Sequence, residues 1–231
     1  MSSPERLTSR PGGAAGTTLP AGTSPLGLAR GRDALVHVPA ELRRDRPAPL
    51  LVVLHGAGST GAAMLGALTA PGAELPGIVL APDSRGRTWD VILGGFGPDV
   101  GFLDEALAAV FSHAAVDPAR FVLAGFSDGA SYVLSLGLSN GDLFRRLVAL
   151  SPGFMAPGPQ RGRPPVFVSH GTEDLVLPID RCSRRLVPAL RSAGYGVRYE
   201  EFDGGHVVPP LVARAAFSWA TAEGSAAAAG G

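Results

Sequence analysis

Residues 125 to 129, Gly-Phe-Ser-Asp-Gly, read G-x-S-x-G. A serine set between such glycines can occupy a sharp strand-to-helix turn with its Oγ free to attack a carbonyl carbon. The turn is strained, and side chains two positions to either side must be very small. The helix that follows points its first N–H groups at the same spot and favours developing negative charge. The chain has 231 residues, 32 of them glycine and 17 serine, so about 0.3 matches to this pattern arise by chance. The competing reading is an ordinary βα turn with a helix-capping serine. Ser127 is a nucleophile only if a base, an orienting acid and donors for an oxyanion can be found.

Each has a counterpart in the sequence. "VLHGAGST" (53–60) is a small-residue turn in which the N–H of Ala57 could join that of Asp128 to hold an oxyanion. Both donors belong to the backbone, so the Asp128 carboxylate need not face a substrate. "VFVSHGTEDLVLP" (166–178) offers Asp174 as the acid, with Glu173 beside it as the competitor. Asp174 is preferred because it directly precedes an apolar pair, where a side chain turns inward. "EFDGGHVVPP" (201–210) places His206 in a glycine loop that lets an imidazole reach across a sheet edge. The chain order is nucleophile, acid, base: Ser127, Asp174, His206. His55 and His170 precede the acid and are expected to brace loops; His37 and His113 fall on an early strand and a helix flank.

The elements that must position these residues follow from periodicity. Apolar runs at 49–55, 77–82, 120–125, 147–151 and 165–170 read as strands buried on both faces, with further strands at 34–38 and 196–202. Helical spacing marks 99–115, with Asp99 as N-cap, then 128–139, 180–194 with Pro188 kinking or splitting it, and 209–222. This alternation predicts an α/β fold, a mostly parallel sheet with helices on both faces. Sites in such sheets lie at the carboxyl ends of strands, and all four stretches above lie at a strand end. Residues 1–30 read as a flexible leader, disordered or loosely docked, 31–222 as one catalytic domain and 223–231 as a disordered tail.

Composition narrows the classes further. Net charge is zero and the arginines are scattered, so no basic stripe marks a nucleic-acid surface. Twenty basic residues, all arginine, beside abundant Ala, Gly and Pro point to a GC-rich genome rather than to function. The single cysteine, Cys182, leaves no internal disulfide and no cysteine metal cluster. No apolar run is long enough to span a membrane, and the first residues lack an apolar signal core, so a cytoplasmic protein is expected.

The stretches "LLVVLHGAGST", "APDSRGRTWD", "VGFLDEALAAVFSHAAVDPARFVLAGFSDGASY", "LVALSPGFM", "VFVSHGTEDLVLP" and "GGHVVPP" together resemble the α/β-hydrolase superfamily. More closely, they resemble the small bacterial phospholipase/carboxylesterase and polyhydroxybutyrate-depolymerase-like esterases. The resemblance spans residues of about 34 to 222. It implies an α/β-hydrolase fold and a cofactor-free, metal-free serine esterase. It also implies Ser127 as nucleophile, His206 as general base and acid, Asp174 as orienting acid, and a small-molecule ester as substrate. The elbow carries serine, where dienelactone hydrolases use cysteine and dehalogenases aspartate. Only "PGFMAPGPQRGRP" separates the strands at 147–151 and 165–169, so little or no lid is expected. Trp89, Phe126 and Phe154, with Phe96 and Met155, are candidate pocket walls; ordinary core packing is the alternative for each. Three readings stay open: a carboxylesterase, a serine hydrolase of thioesters or peptides, and a non-catalytic binding protein of this fold. The oligomeric state is not legible.

Overall fold

The computed structural model describes residues 3–12, 14, 16–68, 75 and 77–222. The chain forms β1 (Gly22–Pro25), β2 (Ala34–Val38), β3 (Ala48–Leu54), α1 (Gly61–Leu68), β4 (Ile78–Pro82), α2 (Pro98–His113), β5 (Val116–Phe126), α3 (Asp128–Ser139), β6 (Arg146–Leu150), β7 (Val166–Gly171), α4 (Ser183–Ser192), β8 (Val197–Phe202) and α5 (Pro210–Thr221). The strands make one eight-stranded sheet in the order β1-β2-β4-β3-β5-β6-β7-β8. From β4 to β8 every pairing is parallel; β1 and β2 add an antiparallel edge.

The apolar runs are central because both of their faces are covered. Leu50, Val52 and Leu54 of β3 face a core shared with α2, α3 and α4. Leu51 and Val53, one residue out of phase, face a second core with Leu65 of α1 and Phe217 of α5. Parallel pairing brings the carboxyl ends together: Leu54 of β3 pairs with Gly125 of β5, and Phe126 with Leu150 of β6. The loops that carry Ala57, Ser127, Asp174 and His206 therefore leave from one edge of the sheet. Residues 151–165, between β6 and β7, hold no helix and form no lid domain.

Several expectations are corrected. The leader is docked on the fold. Its residues 22–25 form β1, which pairs with β2, and Leu7 and Leu19 are buried. The Leu7 N–H donates to Asn140 Oδ1 at 3.0 Å, and the Thr8 and Ser9 N–H groups donate to Asp104 Oδ1 at 2.8 Å. Two leucines spaced through a Gly/Pro/Thr-rich segment are enough to seat it when its polar backbone finds side-chain acceptors. Asp99 does not cap α2. Gly97 holds that position and Pro98 the first turn, while the buried Asp99 carboxylate accepts the N–H groups of Arg85 and Asp90. The break before α4 falls at Cys182, after a short 3-10 turn over Ile179–Arg181, and Pro188 lies inside the continuing helix. The helix α1, the strand β1 and a 3-10 turn over Asp90–Leu93 were not expected. The tail 223–231 lies outside the described residues.

Candidate active site

Ser127 has φ 58° and ψ −121°, a strained conformation for a residue with a Cβ. The neighbouring glycines make it possible. A Cβ at Gly125 would sit 2.5 Å from the Gly129 carbonyl oxygen, and one at Gly129 would sit 2.3 Å from the Leu54 oxygen. The turn is tied down by the Ser127 N–H, which donates to Leu150 O at 2.9 Å. Ser127 is 8% exposed, enough to present its Oγ at the sheet edge.

His206 arrives from the loop after β8. Its Nε2 lies 2.8 Å from Ser127 Oγ and its Nδ1 lies 2.6 Å from Asp174 Oδ2. Gly171 makes this approach possible: a Cβ there would meet the carbonyl oxygens of Gly204 and Gly205 at 2.3 and 2.4 Å. The Phe126 ring lies 4.8 Å from the imidazole and packs against it. Asp174 is buried, and its other oxygen accepts the N–H groups of Val176 at 2.9 Å and Leu177 at 2.8 Å. Burial pushes its pKa up, but the Leu177 N–H, the His206 hydrogen bond and charge, and the Val176 N–H outweigh burial and hold it below the usual carboxylate value. An ionised carboxylate can only accept, so His206 carries its proton on Nδ1 and leaves Nε2 to accept from the serine. That is the arrangement for proton abstraction from Ser127. The competing acid, Glu173, donates its N–H to Gly204 O and so braces the His206 loop through its backbone.

His170 lies beneath the acid. Its Nε2 is 2.7 Å from Leu177 O and 3.3 Å from Asp174 Oδ2, and its Nδ1 is 2.6 Å from Ser183 Oγ. A carbonyl only accepts, so Nε2 carries the proton and Ser183 donates to Nδ1. Burial lowers its pKa and keeps it neutral. His55 likewise braces a loop. Its Nε2 accepts the Ser84 N–H at 3.0 Å, and its Nδ1–H donates to Gly56 O at 2.7 Å. Arg32, from the turn between β1 and β2, reaches Ser84 O and Ser59 O around the same ring.

Asp128 follows the serine in the chain, and Ala57 lies in the loop after β3. A Cβ at Gly56 would come 3.3 Å from Ser127 Cβ, so that loop lies directly against the elbow. Ala57 lines a cavity of about 320 Å³ with Gly58, Arg87 and Thr88. The Thr88 hydroxyl donates to Asp128 Oδ2 at 2.5 Å, which turns the tempting carboxylate to structural use and leaves its N–H at the start of α3. The larger cavity, about 690 Å³, opens at the amino ends of the strands between residues such as His37, Ala48, Gly77 and Arg120. It lies at the opposite end of the strands from the Ser127 cluster, whereas the smaller cavity is lined by the Ala57 loop that packs against the elbow.

Trp89 is corrected: it is not a pocket wall. It is fully buried, donates its indole N–H to His55 O at 2.8 Å, and stacks on Tyr132 at 5.1 Å. Its place is under the Ala57 loop. Phe126 and Phe154 are half-buried near the elbow. The braces at Thr88 and Trp89 were missed as such by sequence reasoning, since nothing local says which strand end they reach.

No protein-family model matches this sequence, and no curated protein matches it. Solved structures do. A phospholipase/carboxylesterase from Dyadobacter fermentans superposes with a TM-score of 0.65 at 19% identity, covering 82% of this chain and 96% of the other. An S-formylglutathione hydrolase from Staphylococcus aureus gives 0.68 at 14% identity, with coverages of 86% and 97%. A ferulic acid esterase from Anaeromyces mucronatus gives 0.64 at 19% identity, with coverages of 93% and 93%. The chain has the α/β-hydrolase fold. In this α/β-hydrolase scaffold, Ser127 stands at the elbow between β5 and α3, Asp174 follows β7, and His206 follows β8. Among the described residues no helix is long and apolar enough to cross a membrane.

Proposed function

We propose that this protein is a serine carboxylesterase that hydrolyses small or medium acyl esters through an acyl-enzyme intermediate. The observation that carries the proposal is the unbroken relay from Ser127 Oγ to His206 Nε2 at 2.8 Å and from His206 Nδ1 to Asp174 at 2.6 Å. His206 takes the proton of Ser127 as its Oγ bonds to the ester carbonyl carbon. The N–H groups of Ala57 and Asp128 hold the carbonyl oxygen as it gains charge. His206 returns the proton to the departing alcohol, and the acyl group stays on Ser127. Water then gives a proton to His206 and attacks the acyl carbon; the acid leaves and Ser127 regains its proton. Asp174 holds the imidazole in the required tautomer and offsets its positive charge. Phe126 and Phe154 form the walls on the acyl side. The cytoplasm is the location we propose, where the lone buried Cys182 stays a free thiol.

The test has two parts. A fluorophosphonate should label wild type and not Ser127→Ala, and Ser127→Ala should lose p-nitrophenyl ester turnover. Retention of turnover by that variant would overturn the assignment of the nucleophile. Profiling acyl esters, thioesters and peptides side by side should give the highest kcat/KM for esters; faster thioester or peptide cleavage would replace the carboxylesterase reading.

A further inference from the structure

The helix α3 is buried on every side from Gly129 to Ser139, yet it carries hydroxyls at Ser131, Ser135 and Ser139, one turn apart. Each hydroxyl donates to the carbonyl four residues earlier: Ser131 to Ser127 O at 3.3 Å, Ser135 to Ser131 O at 2.8 Å, and Ser139 to Ser135 O at 2.9 Å. With the proton spent, each oxygen has lone pairs left for acceptance. The segment after β6 fills them. Ser131 Oγ accepts the Gly153 N–H at 2.9 Å and lies 3.4 Å from the Phe154 N–H; Ser135 Oγ accepts Ala156 N–H at 2.9 Å, and Ser139 Oγ accepts Gly158 N–H at 3.0 Å. The spacing fits. Eight helical residues rise about 12 Å, and five extended residues span up to about 16 Å, so residues 153–158 can follow the helix with slack.

This segment starts beside the loop that carries the acid. Its Gly153 lies against Leu177, where a Cβ would meet the Leu177 side chain at 3.2 Å, and Leu177 donates to Asp174. At the far end the ladder meets the N-terminal segment: a Cβ at Gly158 would touch the Glu5 side chain at 2.8 Å, and the Asn140 side-chain amide donates to Glu5 O at 2.8 Å.

We propose that Ser131, Ser135 and Ser139 are positioning residues that clamp residues 153–158 as a fixed wall of the acyl side. The proposal rests on the esterase reading for its substrate and on these hydrogen bonds for its structure. The wall carries Phe154 and Met155. A rigid wall sets the acyl chain lengths the site accepts, and the first rung joins it to the carbonyl of the nucleophile itself.

Amide hydrogen exchange on the full chain tests the clamp directly. In wild type the Gly153, Ala156 and Gly158 amides should be protected. In Ser135→Ala the Ala156 amide should exchange about ten-fold faster, the effect of losing one ordinary hydrogen bond, and Ser135→Thr, which keeps an Oγ, should restore protection. On p-nitrophenyl esters, Ser135→Ala should shift the kcat/KM ratio of octanoate to acetate by about five-fold or more through KM, as a loosened pocket loses uniform binding. If Ser135→Ala does not fold, Ser139→Ala reads the same effect at Gly158. Freely exchanging wild-type amides, or a selectivity ratio unmoved within two-fold, overturns the proposal. If wild type turns over no ester, the functional reading fails and the clamp stands or falls on exchange alone.

Discussion

Gly129→Ala would place a Cβ 2.3 Å from Leu54 O and 2.6 Å from His55 O. Both are backbone atoms at the carboxyl end of a central strand, and neither can rotate away as a side-chain tip could. Ordinary contact begins near 3.4 Å, so the start of α3 would have to retreat by about 1 Å, an overpacking that costs about 1–3 kcal/mol. The retreat would carry the Ser127 Oγ away from His206 and the Asp128 N–H away from the oxyanion position. A displacement of about 1 Å at reacting groups lowers rate by about 10²-fold. Kinetics with p-nitrophenyl acetate and urea unfolding on the same preparation measure both effects. Gly101→Ala on α2 is the control, because its Cβ would meet nothing within 4 Å. That variant should gain about 0.5–1 kcal/mol from a less flexible unfolded chain and keep its activity. If Gly129→Ala matched Gly101→Ala in both measurements, the steric account of the elbow would be wrong.

Asp174→Asn should lower kcat by about 10⁴-fold with little change in fold, since an amide lets His206 take the wrong tautomer; a loss under ten-fold would remove Asp174 from the relay. Trp89→Phe deletes the indole N–H bonded to His55 O at 2.8 Å and should cost about 1–3 kcal/mol of stability, with a fall in kcat as the Ala57 loop loosens; unchanged unfolding and kinetics would count against the brace. Stability should fall as pH drops below about 6.5, because burial lowers the pKa of both His55 and His170 and the unfolded chain then binds more protons. That stability is fully present above the unfolded histidine value and is lost as pH falls through the folded ones. Melting temperatures from pH 7.5 to 5 should show the slope, flatter in His170→Gln, and equal slopes in the two proteins would contradict it.

Much of the architecture is legible because a strand buried on two faces must be apolar throughout. The runs at 49–55, 120–125 and 147–151 have no other easy reading, and their ends mark the edge where chemistry can gather. Ser127 and Asp174 could be named because each sits one loop beyond such a run, and His206 because it stands in a glycine loop after the last strand, third in chain order. The docking of the N-terminal segment around Leu7 was not legible, since it depends on Asn140 and Asp104, far away in sequence, happening to face Leu7 and Thr8. Trp89 went astray for a related reason: a tryptophan in a loop after a strand can line a pocket or sit beneath one. Its indole N–H found the His55 carbonyl just past the end of β3, 34 residues earlier.

The sequence by itself determined seven of the eight strands and singled out the elbow and the candidate acid and base, because these follow from local periodicity, from chain order and from steric rules that act within a few residues. Only the tertiary structure decided the distances of 2.8 and 2.6 Å that join Ser127, His206 and Asp174, the turning of the Asp128 carboxylate to Thr88, and the partnering of three helix serines with a loop. Those are pairings between segments that share no local signal. They form because a buried polar group without a partner is costly, and which partner it finds is set by how the strands are ordered in the sheet.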